Sequence, residues 1–385
     1  MNIQETIERA LASAGLDTQS GPLRGVTDTI RNALASAGLA VGAAATPAQA
    51  APPNDNTIDV VAREVPAPGA EAAEADAAEA DAAGGQFVLR SFSALAGTRA
   101  YKLYVPAQAV GSQKPKAGSL PLVVMLHGCT QSADDFAAGT QMNRLADEHG
   151  FVVVYPEQAS GANASRCWNW FRAEDQVRGA GEPALLAGLV QAVVAEHPVD
   201  PARVYVAGLS AGAAMAVVLG ETYPELFAAV GAHSGLPYAA AHDIPSAMAA
   251  MKGHGAMGMG HLPGTPADPR RQAQQAVPVI VFHGDRDHTV QHSNGEQIVR
   301  QATSAHAAGL SARTEQGQSP SGRSYTRTRH TNAQGQCLVE AWTLHGAGHA
   351  WSGGAAAGSF TDGSGPDASA EMLRFFLALP GQGQR

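Results

Sequence analysis

Charged side chains are scarce in this 385-residue chain, at 15%, and aromatic ones scarcer still, at 5%. The 25 Lys and Arg stand against 34 Asp and Glu, for a net charge of −9. No basic stripe stands out, which argues against a nucleic-acid partner, because such binding relies on cations lined up against phosphates. No uninterrupted apolar run reaches the length of about 18 residues that a membrane-spanning helix needs. Three cysteines are too few for a disulfide framework. What is present is 45% hydrophobic residues and 43 glycines, material for one large core plus extra segments.

The first 85 residues differ in composition from the rest. Glu5–Leu16 (ETIERALASAGL) and Asp28–Leu39 (DTIRNALASAGL) nearly repeat each other. Each copy spaces apolar residues for a helix and ends near a glycine, Gly15 or Gly38. Residues 1–39 are therefore expected to form two short helices, too few for a solenoid but able to dock a partner or a polymer surface. Residues 40–85, rich in Ala and Pro with scattered acids from Glu64 to Asp81, read as a solvated linker. Ala33–Ala45 followed by Ala48-Gln49-Ala50 also has the outline of a long export signal. Glu5, Glu8, Asp17 and Asp28 spoil the positive start that such a signal wants. Localisation stays open, extracellular if the segment is a signal and cytoplasmic if it is not.

From residue 86 to 380 the periodicity changes. Apolar runs at Phe87–Phe92, Tyr101–Val105, Leu122–Leu126, Phe151–Tyr155, Val204–Val206, Ala228–Val230, Val279–Phe282 and Leu338–Leu344 predict strands. Helical patterns cover Ala133–His149, Pro183–Glu196, Ala211–Thr222, Gly295–Ala307 and Ala368–Leu379. The alternation predicts an α/β domain, a mostly parallel sheet with helices on both faces and an antiparallel first hairpin.

One strand runs directly into Gly208-Leu209-Ser210-Ala211-Gly212 and then into a helical pattern. A G-x-S-x-G turn between strand and helix holds its serine in a strained backbone with the oxygen exposed, which makes Ser210 a candidate nucleophile. The glycines are needed because side chains there would clash across the turn. The Ala211 N–H then faces any oxyanion formed on the substrate. Such a serine needs a base, and the base an orienting acid, each on a loop after a later strand. His283-Gly284-Asp285-Arg286-Asp287 and Gly348-His349-Ala350-Trp351 both follow strands, so Asp287 is read as the acid and His349 as the base.

Two other readings of the acid loop stand beside this one. Asp285 is an alternative acid, with Asp287 capping the turn. His288 and His292 with the two aspartates could chelate a metal, but no third nitrogen or sulfur ligand is evident, so no metal is expected. The remaining histidines read as surface or loop residues.

His127-Gly128-Cys129 follows an early strand, where a turn of this kind supplies a second oxyanion donor, here the Cys129 N–H. Ser165–Phe171 concentrates aromatics in one loop, and Trp168 and Trp170, with Trp351 beyond His349, are the residues expected to bind substrate. A small satellite core beneath the loop is the competing reading. Cys129 and Cys167 fall in loops expected near the same centre, so their pairing, with Cys337 left free, is a second expectation. Such a bond would favour an oxidising compartment.

Taken together, His127–Gln131, the Asn143–Pro156 stretch, Cys167–Phe171, Gly208–Gly212, His283–Asp287 and Gly348–Trp351 resemble the polyhydroxybutyrate depolymerase family of esterases. The resemblance covers roughly 86–379. It implies the α/β-hydrolase fold, a triad of Ser210, Asp287 and His349, and an oxyanion hole from the Cys129 and Ala211 N–H groups. It also implies a serine esterase without a cofactor, acting on poly(3-hydroxybutyrate) or its oligomers, with acetyl xylan and feruloyl esters as alternatives. A non-catalytic binding protein on the same fold is a more distant rival.

Residues 239–278 hold four of the nine methionines and read either as adaptable surface for an apolar polymer or as a loosely packed helical insertion. No Thr- or Ser-rich linker and adsorption domain is expected after the last helical pattern. Oligomers, amorphous polymer or soluble esters are therefore expected ahead of crystalline polymer.

Overall fold

Alternation along the third strand shows how the layers are organised. Leu122, Val124 and Leu126 pack into one core, while Val123 and Met125 between them pack into another on the opposite face of the sheet. This is a computed structural model, and it describes residues 85–110, 118–254, 276–306 and 309–381 with Lys116. The expected N-terminal helices, nearly all of the expected linker, and residues 255–275 of the Met-rich segment lie outside the described residues.

The strands are β1 (Gln86–Ala94), β2 (Gly97–Val105), β3 (Leu120–Leu126), β4 (Val152–Pro156), β5 (Val199–Leu209), β6 (Ala229–His233), β7 (Val279–Gly284), β8 (Ser311–Gln318), β9 (Ser324–Thr331) and β10 (Cys337–Leu344). They form one sheet in the order β1-β2-β4-β3-β5-β6-β7-β10-β9-β8. The middle, from β4 to β10, is parallel, and β1-β2 and β8-β9 make antiparallel flanks. This is the expected α/β-hydrolase architecture.

Besides a single turn at Ala107–Val110, the helices are α1 (Ala133–Thr140), α2 (Met142–His149), α3 (Gly181–Glu196), α4 (Ala211–Thr222), α5 (Ile244–Ala249), α6 (Ser293–Ser304) and α7 (Ala368–Leu377). Residues of α3, α4 and α6 fill the first core, and those of α1, α2 and α7 the second. No helix of the described residues is long and apolar enough to cross a membrane.

Two departures from the sequence reading stand out. The single helix expected over Ala133–His149 is two, because Gln141 takes a left-handed conformation (φ 53°) that ends α1 and starts α2. The β8-β9 hairpin was not expected at all. Its strands, SARTEQGQ and SYTRTRHT, carry Thr, Arg and Gln where the strand signal sought apolar residues. Thr314 and Thr328 share a hydrogen bond across the pair, and Arg327 and Arg329 pair with Glu315. In the Met-rich segment, α5 is capped by Asp243 and Ser246, and a π-type turn at Ala250–His254 follows it.

Candidate active site

The turn after β5 is tight enough to dictate its own composition. A Cβ on Gly208 would lie 2.5 Å from the Gly212 carbonyl carbon and 2.6 Å from the Leu126 oxygen. On Gly212 it would lie 2.1 Å from the Leu126 oxygen, so neither position admits a side chain. Between them Ser210 sits at φ 58°, ψ −120°, a backbone strained for a residue with a side chain. Its N–H donates to the His233 carbonyl at 2.9 Å, and its side chain makes no cap bond to α4. The strain therefore holds Oγ at the sheet's carboxyl edge without committing it to the helix.

Asp287 follows β7 in a side chain wholly shielded from water. Its Oδ1 accepts the N–H groups of Thr289 and Val290, each at 2.9 Å, and its Oδ2 accepts Nδ1–H of His349 at 2.7 Å. Burial pushes the carboxyl up. The His349 bond and charge, with the Val290 N–H, outweigh this and hold it below the ordinary aspartate range. Because the carboxylate can only accept, Nδ1 of His349 is the donor of this bond, and Nε2 is the ring nitrogen left outside it. No hydrogen bond closes between Ser210 Oγ and His349, a contact that in hydrolases often tightens only when substrate is seated.

Asp285 points elsewhere. Its carboxylate accepts from His345 Nδ1 at 2.9 Å and from the Gly346 N–H at 2.7 Å, and His345 Nε2 lies 2.9 Å from Thr326 Oγ1. It ties the end of β7 to the end of β10 at the surface. The residues weighed as a metal set are likewise spent apart, since His292 meets Thr343 and Glu296. Among the described residues no group of three or more His, Cys, Asp or Glu is arranged to hold a metal.

The turn after β3 is braced from several sides. Gln158 N–H donates to His127 Nε2 at 3.0 Å, so the ring proton is on Nδ1 and bonds the Gly128 carbonyl at 2.7 Å. Gln131 Oε1 accepts the Gly128 N–H at 2.9 Å. The Cys129 N–H is used by no backbone hydrogen bond, and the Ala211 N–H opens α4, where a helix leaves its first donors unpaired.

A disulfide joins Cys129 to Cys167, and Cys337 is free. Thr130 N–H donates to the Ser165 carbonyl at 2.8 Å, so the aromatic loop is stitched to the turn twice over. Under this loop lies a buried polar network that sequence reasoning missed. Glu182 accepts from the Asn169 N–H and Nδ2 and from Gln158, while Arg99 bonds Gln158 and lies 3.7 Å from Glu182. Its members are scattered over more than 80 residues, and no local spacing announces them.

The tryptophans expected to bind substrate are inside. Trp168 is fully buried, with Nε1–H donated to the His127 carbonyl at 3.0 Å, and Trp351 is buried against His233 and Phe136 with Nε1–H on Ser369. Trp170 is also in the core, edge-on to Phe171. The reason is local, because both loops fold back onto the sheet and the indoles fill the space beneath them. All three indoles thus belong to the packed interior, as the satellite-core reading of the aromatic loop has it for Trp168 and Trp170.

The histidines read as surface or loop residues also need correction. His233 and His283 are buried within β6 and β7, whereas His127 does lie in a turn, though a buried one. His233 closes β6, stacks on Phe282 and Trp351, and accepts the Ser352 N–H on Nε2, while burial pushes its pKa down to about 3. His283 donates Nε2–H to the Val290 carbonyl and is pushed down to about 4 by burial. Both stay neutral and brace the loops around Asp287 and His349.

The description "Esterase PHB depolymerase" belongs to the family model that matches residues 99–315, more than half of the chain. Poly(3-hydroxyalkanoate) depolymerase C of Paucimonas lemoignei is 37% identical over 234 residues, covering 60% of this chain and 54% of that one. The chain thus spans about half the length of that relative. Feruloyl esterase B of Talaromyces stipitatus is 27% identical over 269 residues, 67% of this chain and 70% of that one. Among solved structures, an acetyl xylan esterase from Aspergillus awamori superposes with a TM-score of 0.56 at 19% identity, covering 76% of this chain and all of that one. That likeness speaks to the fold.

Proposed function

The chain belongs to the esterase PHB depolymerase family, and from that premise we propose that it hydrolyses carboxylic esters through an acyl-enzyme on Ser210. The observation that supports the reading is the buried Asp287–His349 hydrogen bond, which occupies Nδ1 of His349 and leaves Nε2 as the ring nitrogen outside it, together with the strained strand-to-helix turn that carries Ser210. In this mechanism His349 takes the proton of Ser210 as Oγ attacks the ester carbonyl. Asp287 stabilises the imidazolium, and the N–H groups of Cys129 and Ala211 receive the oxyanion. Collapse expels the alcohol, which takes the proton from His349. Water, deprotonated by the same Nε2, then releases the acid and restores Ser210. The steps balance without a cofactor, and residues 86–380 form the catalytic unit.

The substrate we favour is poly(3-hydroxybutyrate) or its oligomers, supported by the similarity to the Paucimonas lemoignei depolymerase. Similarity to feruloyl esterase B over a larger share of the chain keeps aromatic and acetyl esters of plant polysaccharides as the second reading. The test compares wild type with Ser210→Ala on amorphous poly(3-hydroxybutyrate), an acetylated xylan and a feruloyl ester. Serine-dependent clearing of the polyester, with little release of acetate or ferulate, is expected. Release of acetate or ferulate without clearing would move the protein to the carbohydrate esters. Substantial hydrolysis by Ser210→Ala would remove the nucleophile assignment.

A further inference from the structure

Phe360 combines two features that folding alone disfavours. The residue is 47% exposed, and its backbone sits at φ 52°, a left-handed conformation that an aromatic residue enters only under constraint. Glycine or asparagine would relieve the backbone, and a polar residue would spare the exposed apolar surface. Neither the local chain nor the core therefore explains a phenylalanine here.

The constraint comes from both sides, and both sides belong to the candidate site. Before it, Ser359 donates its N–H and its Oγ–H to Asp135, and its carbonyl accepts from Gln131. Gln131 is the side chain whose other end holds the Gly128 N–H, and a Cβ on Gly128 would lie 3.6 Å from the Cβ of Ser210. After it, Thr361 and Asp362 form β12 (Thr361–Asp362), paired with β11 (Trp351–Ser352) two residues beyond His349. The Phe360 carbonyl itself accepts the Trp351 N–H at 2.6 Å. The backbone of Phe360 is thus clamped between the loop expected to hold the oxyanion and the loop expected to carry the base, and the residue is exposed. The tryptophans of these loops, meanwhile, are buried and unavailable.

We propose that Phe360 is a specificity-determining residue, an apolar wall against which the chain of the ester packs next to the scissile bond. The inference rests on the serine-esterase reading above. An exposed aromatic side chain, with only two torsions to order and its backbone already fixed, gives apolar contact at little entropic loss on binding. Its ligand is by chemistry an aliphatic ester with several carbons on one side of the carbonyl, as a polyester repeat provides. A bare acetyl group on a short alcohol would gain little from it.

The experiment measures kcat/KM for wild type, Phe360→Ala and Phe360→Leu on two ester series. One varies the acyl chain, p-nitrophenyl acetate to octanoate, and the other varies the alcohol, ethyl to octyl acetate. Phe360→Ala is expected to lower the long-to-short ratio about 10-fold in at least one series, with Phe360→Leu restoring most of it. A long-to-short ratio that stays within about twofold of wild type in both series would overturn the assignment. Phe360→Gly separates the backbone from the ring. It should lose the ratio as alanine does while melting at least as high as Phe360→Ala, because it relieves the left-handed strain. Labelling of each variant by a fluorophosphonate keeps the two questions apart. Normal labelling with an unchanged ratio sinks the Phe360 proposal, whereas no labelling of wild type sinks the nucleophile reading.

Discussion

Asp287 accepts a 2.7 Å hydrogen bond from Nδ1 of His349, 62 residues further along the chain. Two strand ends make this possible, since β7 and β10 are parallel neighbours and their following loops meet at the same edge. Asp285, two residues earlier, makes a similar bond to His345, but that pair is far more exposed than the buried carboxylate of Asp287. The two aspartates therefore have separable consequences.

Asp287→Asn should lower kcat by roughly 10⁴, because an amide in place of the carboxylate lets His349 adopt the wrong tautomer. Asp285→Asn should cost less than about 10-fold, as it loosens a surface tie between loops and leaves the buried pair intact. Steady-state rates of both variants on one soluble ester decide this. A larger loss for Asp285→Asn would transfer the acid role to it.

Removing the Cys129–Cys167 bond should be felt in both stability and rate. The bond closes a span of 38 residues, for which chain entropy gives about 4 kcal/mol. It also fixes the turn that presents the Cys129 N–H. Unfolding and turnover of Cys129→Ala/Cys167→Ala are the measurements. Unchanged values of both would mean that the hydrogen bonds of Thr130 and Trp168 hold the loops alone.

Acid should destabilise the fold well before carboxylates protonate in bulk. His233 and His283 titrate at about 3 and about 4 when folded, below the ordinary 6.5 of an unfolded histidine. Their contribution is complete above pH 6.5 and drains as pH falls, because the unfolded chain takes up protons that the folded one refuses. Each costs about 1.4 kcal/mol per pH unit in that window. Asp175, pushed up to about 6 by burial, acts in the opposite sense between its unfolded 3.8 and that value. The depressed Asp287 adds to the acid loss as pH falls through its folded pKa. Two histidines against one aspartate leave a net loss of about 1.4 kcal/mol per unit between pH 6 and pH 4. Denaturant unfolding at several pH values from 7.5 downward reads it, and a flat or rising stability would contradict it.

Much of this arrangement was legible in the sequence where chemistry and spacing coincide. Gly208 and Gly212 mark their turn because no other residue fits, and the strand before it and helix after it are strongly apolar. The parallel strands declared themselves by continuous Val, Ile and Leu. The β8-β9 hairpin did not, because its stability comes from Thr–Thr and Arg–Glu pairs across strands, which become neighbours only after folding. Trp168 and Trp351 misled for a related reason, since composition places aromatics in a loop without saying which way the loop folds. His233 and the Glu182 network were invisible because burial and hydrogen bonding join residues distant in the chain. Phe360 carries no signal in the sequence, because a lone phenylalanine is ordinary and its left-handed backbone arises only in the fold.

The claim on which the rest depends is that Ser210 Oγ is the attacking atom, and covalent labelling addresses it most directly. Wild type treated with a fluorophosphonate should carry one adduct per chain, mapped by peptide mass to the segment containing Gly208–Gly212, and Asp287→Asn should acquire it far more slowly. An adduct on another residue, or equal labelling of Ser210→Ala, would contradict the account.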